Sequence, residues 1–308
     1  MKSPSRRTLL QALALTAAGA ALPATAADRP LSFVALGDWG RRGAYHQREV
    51  AAAMAAAAQE AGSRFVISVG DNFYEGGVQS VADSHWKASF EDVYTAPALQ
   101  TPWYVVLGNH DHRGSGQAQV DYSRLSPRWR MPDRYFKVAG ALHGAPQIDF
   151  FFIDTAPLVL AYGGLIARPG LRAAADAQLA WLDGELARST ADWKLVVGHH
   201  TIHSGGSQHG DTVELVAMVK PLLEHHGVQA YMNGHDHDLQ HVRRGAVDYI
   251  GTGAGSKVRA VRPVEGTRFC LARSGFALFT LQPESLELEF RDFTGARVYR
   301  SALARERA

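Results

Sequence analysis

Cysteine is almost missing from this 308-residue chain. Cys270 stands alone, which excludes an intramolecular disulfide and any cysteine-based zinc cluster. Long apolar runs are scarce as well. The longest, Leu9 to Leu22, is interrupted by Gln11 and is too short to form a comfortable membrane span. No sign of charge dominates: 32 Lys and Arg face 30 Asp and Glu, so nothing in the balance calls for nucleic acid as a partner. Low-complexity linkers, repeats and runs of like charge are absent too, which argues against a disordered tail, a rod or an array. With 46% apolar and 20% charged residues, the composition is that of a globular protein able to bury a full core. What the chain has in quantity is histidine, 14 residues of it.

Residues 1–26 read as an export signal rather than as part of the fold. Lys2, Arg6 and Arg7 give a positive start, Leu9 to Leu22 the apolar stretch, and Ala24-Thr25-Ala26 a small-residue cleavage site. The order Ser5-Arg6-Arg7-Thr8-Leu9-Leu10 resembles a twin-arginine signal, which predicts export to a bacterial periplasm or beyond. An ordinary secretory signal with adjacent arginines is the alternative. Without this leader the balance becomes 29 basic against 30 acidic residues, so the slight basicity belongs to the signal. Residues 27–308 then read as one domain.

From Leu31 onward, short apolar runs of β type alternate with helical patterns, the signature of βα units around a mostly parallel buried sheet. The strands expected are Leu31 to Leu36, Arg64 to Val69, Trp103 to Leu107, Asp149 to Ile153, Trp193 to Val197, Val228 to Met232 and Val247 to Ile250. Helices are expected over Arg48 to Ala61, closed by Gly62, over Ala175 to Ala187, and over Val213 to His226, closed by Gly227. Alternation at Phe276 to Leu281 and Leu286 to Phe290 predicts antiparallel strands at the end of the domain.

Five of these strands end in glycine followed by metal-type ligands: Gly37-Asp38-Trp39-Gly40, Gly70-Asp71-Asn72-Phe73-Tyr74, Gly108-Asn109-His110-Asp111, Gly198-His199-His200 and Gly234-His235-Asp236-His237. In an open α/β sheet, ligands bind beyond the carboxyl ends of the strands, so the five stretches converge on one crevice. Glycine is expected there to let the backbone turn sharply. Carboxylate, imidazole, amide and phenol without thiolate suit a pair of first-row metal ions of intermediate hardness, with Asp71 placed to bridge them. Such a pair clamps the attacking and leaving oxygens of a phosphoryl centre, so phosphate-ester hydrolysis is the expected reaction.

On these blocks the sequence resembles the purple acid phosphatases of the tartrate-resistant, mammalian type, within the calcineurin-like metallophosphoesterases. Phe90-Glu91-Asp92-Val93-Tyr94, Trp103 to His112 and Asn233 to Gln240 extend the likeness over nearly the whole domain, and Tyr74 three residues after Asp71 narrows it to the purple enzymes. The resemblance implies two packed mixed β-sheets flanked by helices, an αββα sandwich with a dinuclear site at the strand ends. It also implies an acid phosphatase acting on small phosphate monoesters through a metal-activated hydroxide. By the same likeness Asp38, Asp71, Tyr74 and His237 would bind Fe(III). Asp71, Asn109, His199 and His235 would bind a second, divalent metal: iron, zinc or manganese. His110 would act on the phosphate from outside the ligand set. His209 is the candidate for a second such histidine, with His203 in competition because the loop after His199 is one residue longer than in the family.

Departures from the family accompany the likeness. His200 stands where the family usually has tyrosine, the family's disulfide cannot form, and the loop from Pro157 to Pro169, which in relatives lies near the site, is Gly-rich and apolar. Cys270, between Phe269 and Leu271, is expected to be a core thiol. His112 is expected to support the site from behind, and Trp39, Trp103, Trp129, Trp181 and Trp193 to be core. Gly251-Thr252-Gly253-Ala254-Gly255 lacks the lysine of a phosphate-binding loop and reads as a tight connection near the site. Rival functions are a phosphodiesterase or nucleotide hydrolase on the same metal core, or a periplasmic protein that binds metal or phosphate without hydrolysis.

Overall fold

The computed structural model describes residues 30–145, 147–162 and 169–304; the leader at 1–26 and the middle of the loop from Pro157 to Pro169 lie outside them. In chain order the strands are β1 (Ser32–Leu36), β2 (Val66–Ser68), β3 (Trp103–Val105), β4 (Trp129–Arg130), β5 (Phe136–Ala139), β6 (Ile148–Phe152) and β7 (Trp193–Val197). They continue with β8 (Ala230–Asn233), β9 (Leu239–Arg244), β10 (Val247–Thr252), β11 (Thr267–Leu271), β12 (Gly275–Leu281), β13 (Ser285–Asp292) and β14 (Arg297–Ala304). As the family resemblance implies, and unlike the one mostly parallel sheet read from the strand pattern alone, there are two seven-stranded sheets, ordered β14-β13-β12-β1-β2-β3-β4 and β11-β9-β10-β8-β7-β6-β5. Both are mixed. The first is parallel from β1 to β4 and antiparallel from β12 to β14. The second is parallel across β6, β7, β8 and β10, with β5, β9 and β11 antiparallel to their neighbours.

Alternation along the strands builds the layers. In β6, Ile148, Phe150 and Phe152 point into the cluster between the sheets, while Phe151 belongs to the cluster under the helices. Phe150 meets Phe33 and Phe65 edge-on at centroid distances of 5.2 and 5.4 Å, joining the two sheets through aromatic contacts. β7 repeats the rule, with Leu195 and Val197 facing the sandwich and Val196 facing the helices.

The helix Gln47–Ala61 ends as its sequence predicts, on Gly62 at φ 64°, whose N–H donates to the last turn. The segment expected as one helix over Val213 to His226 is two, Val213–Met218 and Lys220–His225. Pro221 explains the break: it has no N–H to continue the ladder. The second helix expected, over Ala175 to Ala187, runs from Pro169 to Arg188. Cys270 is half-buried on edge strand β11 rather than a core thiol. Trp39, Trp103, Trp129 and Trp193 are fully buried, and the first three pack into one aromatic group behind the strand ends.

Candidate metal centre

Both sheets deliver ligand-type side chains to one place. Asp38 follows β1, Asp71 follows β2 and Asn109 lies beyond β3, whereas His199 follows β7 and His235 and His237 follow β8. The glycines work differently from the sharp turns expected of them. Of the five strand-end glycines only Gly70 has a positive φ; the left-handed conformation otherwise falls on three of the residues that follow them, Asp38 at φ 59°, Asp71 at 50° and His235 at 70°. Each such residue costs about 1–3 kcal/mol unless its surroundings hold it. The glycines provide space instead. A Cβ on Gly108 would lie 2.1 Å from Asp71 Oδ1, and one on Gly234 would lie 2.4 Å from Asp38 Oδ2.

The centre has two sides. On the first, the Tyr74 hydroxyl donates to Asp38 Oδ1 and Asp71 Oδ2, both at 2.7 Å, and lies 3.1 Å from His237 Nε2. Burial, then the charges of Asp38 and Asp71, push the Tyr74 phenol well above its ordinary value. On the second, His199 Nε2 lies 3.2 Å from Asn109 Oδ1 and 3.3 Å from His235 Nδ1. Asp71 spans the two sides: Oδ2 accepts from the Tyr74 hydroxyl, while Oδ1 faces His199 Nε2 at 3.5 Å and accepts from the His110 N–H at 2.9 Å. Burial alone would raise the Asp71 carboxyl, but the charges of His199 and His110 and the Tyr74 bond hold it below the usual range.

The donors fit metal ions. Asp38, Asp71 and His237 are buried and each offers an atom within 4.8 Å of the others, with a single phenol proton between the carboxylates. His199 donates its Nδ1 N–H to the Val69 carbonyl at 3.0 Å, which turns Nε2 toward the Asn109 oxygen and the His235 nitrogen. Burial, followed by the rings of His200, His199 and His209, drives His235 far below the ordinary imidazole value, so it is a neutral ligand-type nitrogen. A space lined by lone pairs and short of protons is what a cation completes.

The remaining predicted histidines separate clearly. His110 Nδ1 is 2.6 Å from the Glu75 carbonyl and its ring lies 4.5 Å from that of Tyr74, which turns Nε2 toward Asp71 Oδ2 at 4.0 Å. His209 stacks on His235 with centroids 3.8 Å apart. His203 is elsewhere, bonded through Nδ1 to Asp211 at 2.9 Å and packed edge-on against Tyr249. His200 is buried, takes Thr155 Oγ1 at 2.8 Å and tilts against His235 at 4.4 Å. His112 bonds through Nε2 to Asp154 at 2.8 Å. Gly253 lies close to the ligands, where a Cβ would come within 2.8 Å of Asp38 Oδ2, in keeping with a tight connection beside the site.

Other residues join the centre without having been singled out. Asp111 accepts from the N–H groups of Gly108 at 2.9 Å, Asn72 at 3.0 Å and Phe73 at 3.2 Å, tying the loops after β2 and β3 together. Burial and the charge of Asp71 push its carboxyl up to about 7. Arg41 places its guanidinium 3.5 Å over the Tyr74 ring and pairs with Glu75 at 2.8 Å. Asp111 follows His110 at the end of β3's glycine-led segment, whereas Arg41 follows Gly40 with no ligand-type signature.

Comparison with known proteins agrees with this geometry. The calcineurin-like phosphoesterase family profile matches residues 31–239. Purple acid phosphatase 3 of Arabidopsis thaliana is 39% identical over 288 residues, covering 87% of this chain and 76% of that protein. Tartrate-resistant acid phosphatase type 5 of Homo sapiens is 35% identical over 325 residues, covering 96% of each. Among solved structures, GAP50, the anchor in the inner membrane complex of Plasmodium, shares the fold at a TM-score of 0.79 and 24% identity, over 91% of this chain and 90% of that one. A purple acid phosphatase from yellow lupin (Lupinus luteus) seeds shares it at a TM-score of 0.65 and 13% identity, over 90% and 54%.

Proposed function

From the premise that this chain belongs to the purple acid phosphatases of the calcineurin-like phosphoesterase family, we propose that its dinuclear centre pairs a ferric ion with a divalent one. The protein is a metal-dependent phosphomonoesterase. Asp38, Asp71, Tyr74 and His237 would hold the ferric ion, a hard cation suited to carboxylate and phenolate. Asp71, Asn109, His199 and His235 would hold iron, zinc or manganese as the divalent ion. The observation that carries this reading is Asp71, whose two oxygens face two different donor sets.

When bound, the metal pair supplies Lewis acidity at the phosphoryl group and activates water. The chain's own residues supply orientation and proton handling. His110, held through Nδ1 by the Glu75 carbonyl, keeps Nε2 facing the centre, where it can give a proton to the departing oxygen. His209, laid flat on His235, presents a second imidazole to the phosphate. Val69 fixes the tautomer of His199, and Asp111 holds the loops that carry Asp71 and Asn109 in register.

The test is metal analysis and a visible spectrum of the purified protein, together with assays on an aryl phosphomonoester and an aryl phosphodiester. Acid monoester hydrolysis by a coloured, iron-containing protein is expected. Diester preference overturns the monoesterase reading, and a colourless protein with stoichiometric iron overturns the ligand assignment. We propose export by the leader at 1–26 as well, through Arg6 and Arg7. Unchanged periplasmic delivery of the Arg6→Lys, Arg7→Lys variant would rule out the twin-arginine route. No helix among the described residues is long and apolar enough to cross a membrane.

A further inference from the structure

The connection between β10 and β11 brings a cation to the mouth of the centre that none of the roles above uses. After Ser256 the chain runs as an extended strap over residues 257–262. One side of the strap is tied to the ligand loop, where Arg259 N–H donates to the His237 carbonyl at 2.9 Å. The other side is tied to the loop of His209: Ser207 N–H donates to Ala260 O and Arg262 N–H to Gly205 O, both at 3.0 Å, with a bridge between Gly206 and Val261. Val258 packs against the core between these ties. The backbone at 259 is therefore fixed on both sides, and with it the place from which the side chain starts.

That side chain reaches inward. Arg259 Nη1 lies 3.3 Å from His209 Nε2, and the His209 ring lies on His235 at 3.8 Å. The guanidinium of Arg259, a half-buried residue, thus makes a solvent-facing contact one imidazole ring beyond the ligand set. Among the described residues no carboxylate lies within ion-pair distance of it. Both acidic groups near the mouth are engaged: Glu75 pairs with Arg41 at 2.8 Å, and buried Asp236 accepts from Ser204 Oγ and from Gly210 N–H at 3.1 Å. A guanidinium has five N–H donors, and one contact to a neutral imidazole leaves most of them unspent. Lys257, exposed two residues earlier on the strap, adds a second positive charge at the rim, with its ammonium 5.6 Å from the centre of the Tyr45 ring.

We infer that Arg259 anchors an anion subsite for a second charged group on the substrate, so that the enzyme favours phosphate esters and anhydrides whose leaving group itself carries a phosphate or carboxylate. This rests on the monoesterase reading. The phosphoryl group under attack must lie against the ligand atoms, and His209 fills the space between those atoms and Arg259. The guanidinium therefore meets what is attached to that phosphoryl group rather than the group itself. Planar, always charged and forked, it binds an anionic group through two parallel hydrogen bonds, each stronger than the bond to His209 that it gives up.

The experiment compares phenyl phosphate, whose leaving group carries no second charge, with ADP and inorganic pyrophosphate. In every case water attacks the terminal phosphorus and the P–O bond to the leaving group breaks, the leaving oxygen taking up a proton, so only the leaving group differs. In Arg259→Gln the ratio of kcat/KM for ADP to that for phenyl phosphate is expected to fall about tenfold, mainly through KM, and Arg259→Lys to recover part of it. An equal loss on all three substrates would assign Arg259 to the reacting phosphate or to the packing of the strap, and overturn the inference. An unchanged ratio would overturn it too. If the wild type hydrolyses none of the three, the monoesterase reading fails and takes the subsite with it.

Discussion

The two sides of the metal centre are built from opposite materials. Where Asp38, Asp71, Tyr74 and His237 meet, negative charge is in excess, and the phenol proton is drawn between two carboxylates at 2.7 Å. Where Asn109, His199 and His235 meet, the groups are neutral or basic, and His235 is so hard to protonate that its lone pair stays free. The first side calls for a hard, highly charged cation and the second for a softer one of lower charge. The lesson is that a single carboxylate, Asp71, with one oxygen toward each donor set, is placed to join two sets of unlike chemistry.

The strongest way to break the contrast is to remove what joins its halves. Asp71→Asn should lose metal from both sides and lower monoester hydrolysis by at least about 10²–10³-fold, whereas Asp38→Asn should deplete chiefly the acidic side. Elemental analysis beside the activity assay separates the two outcomes, and a full metal complement in Asp71→Asn would refute bridging.

His110 lies outside both halves, so His110→Ala should keep both metals and lower kcat by about 10²–10⁴-fold. Metal loss in that variant would mean that the ring supports the ligands instead of the reaction.

Tyr74→Phe sharpens the acidic side alone. In metal-free protein it leaves two buried carboxylates without their shared donor, and should lower unfolding free energy by about 1–3 kcal/mol in urea titrations with chelator present. The metal-loaded variant should also be colourless.

The smallest expected effect concerns the support behind both halves. Burial alone would lower His112, but its bond to Asp154 and that carboxylate's charge outweigh burial and raise it above the ordinary histidine value. The contribution of this pair to stability is therefore complete below about pH 6.5, the unfolded value, and fades as pH rises through the raised folded value. Melting curves should show wild type and Asp154→Asn further apart at pH 6 than at pH 9, by about 2 °C. A gap that widens with pH would reverse the assigned sign.

Much of this centre is legible in the chain because five of the seven candidate ligands follow a glycine at a strand end, and the glycine is forced by crowding. The Cβ that Gly108 lacks would lie against the Asp71 carboxylate. Residues without that constraint leave no such trace. Asp154 and Thr155 lie just beyond β6 with no glycine before them, yet they hold His112 and His200. Arg41 and Arg259 act from loops whose course depends on distant pairing, and no local pattern fixes it. The division into two sheets is hidden for a similar reason: β7 and β1 are both short, largely apolar and mostly buried runs, and their sequences do not say which layer they join.

The crossing of ligands from one layer to the other has a mechanical consequence. Asp38, Asp71, Tyr74 and Asn109 come from the first sheet, and His199, His235 and His237 from the second. A bound ion would therefore rivet two layers otherwise joined by apolar contact and by hydrogen bonds such as that from His199 to the Val69 carbonyl, and neither layer could peel away without releasing it. Binding free energy is thereby converted into resistance to shear between the sheets, growing with free metal as RT ln(1 + [M]/Kd).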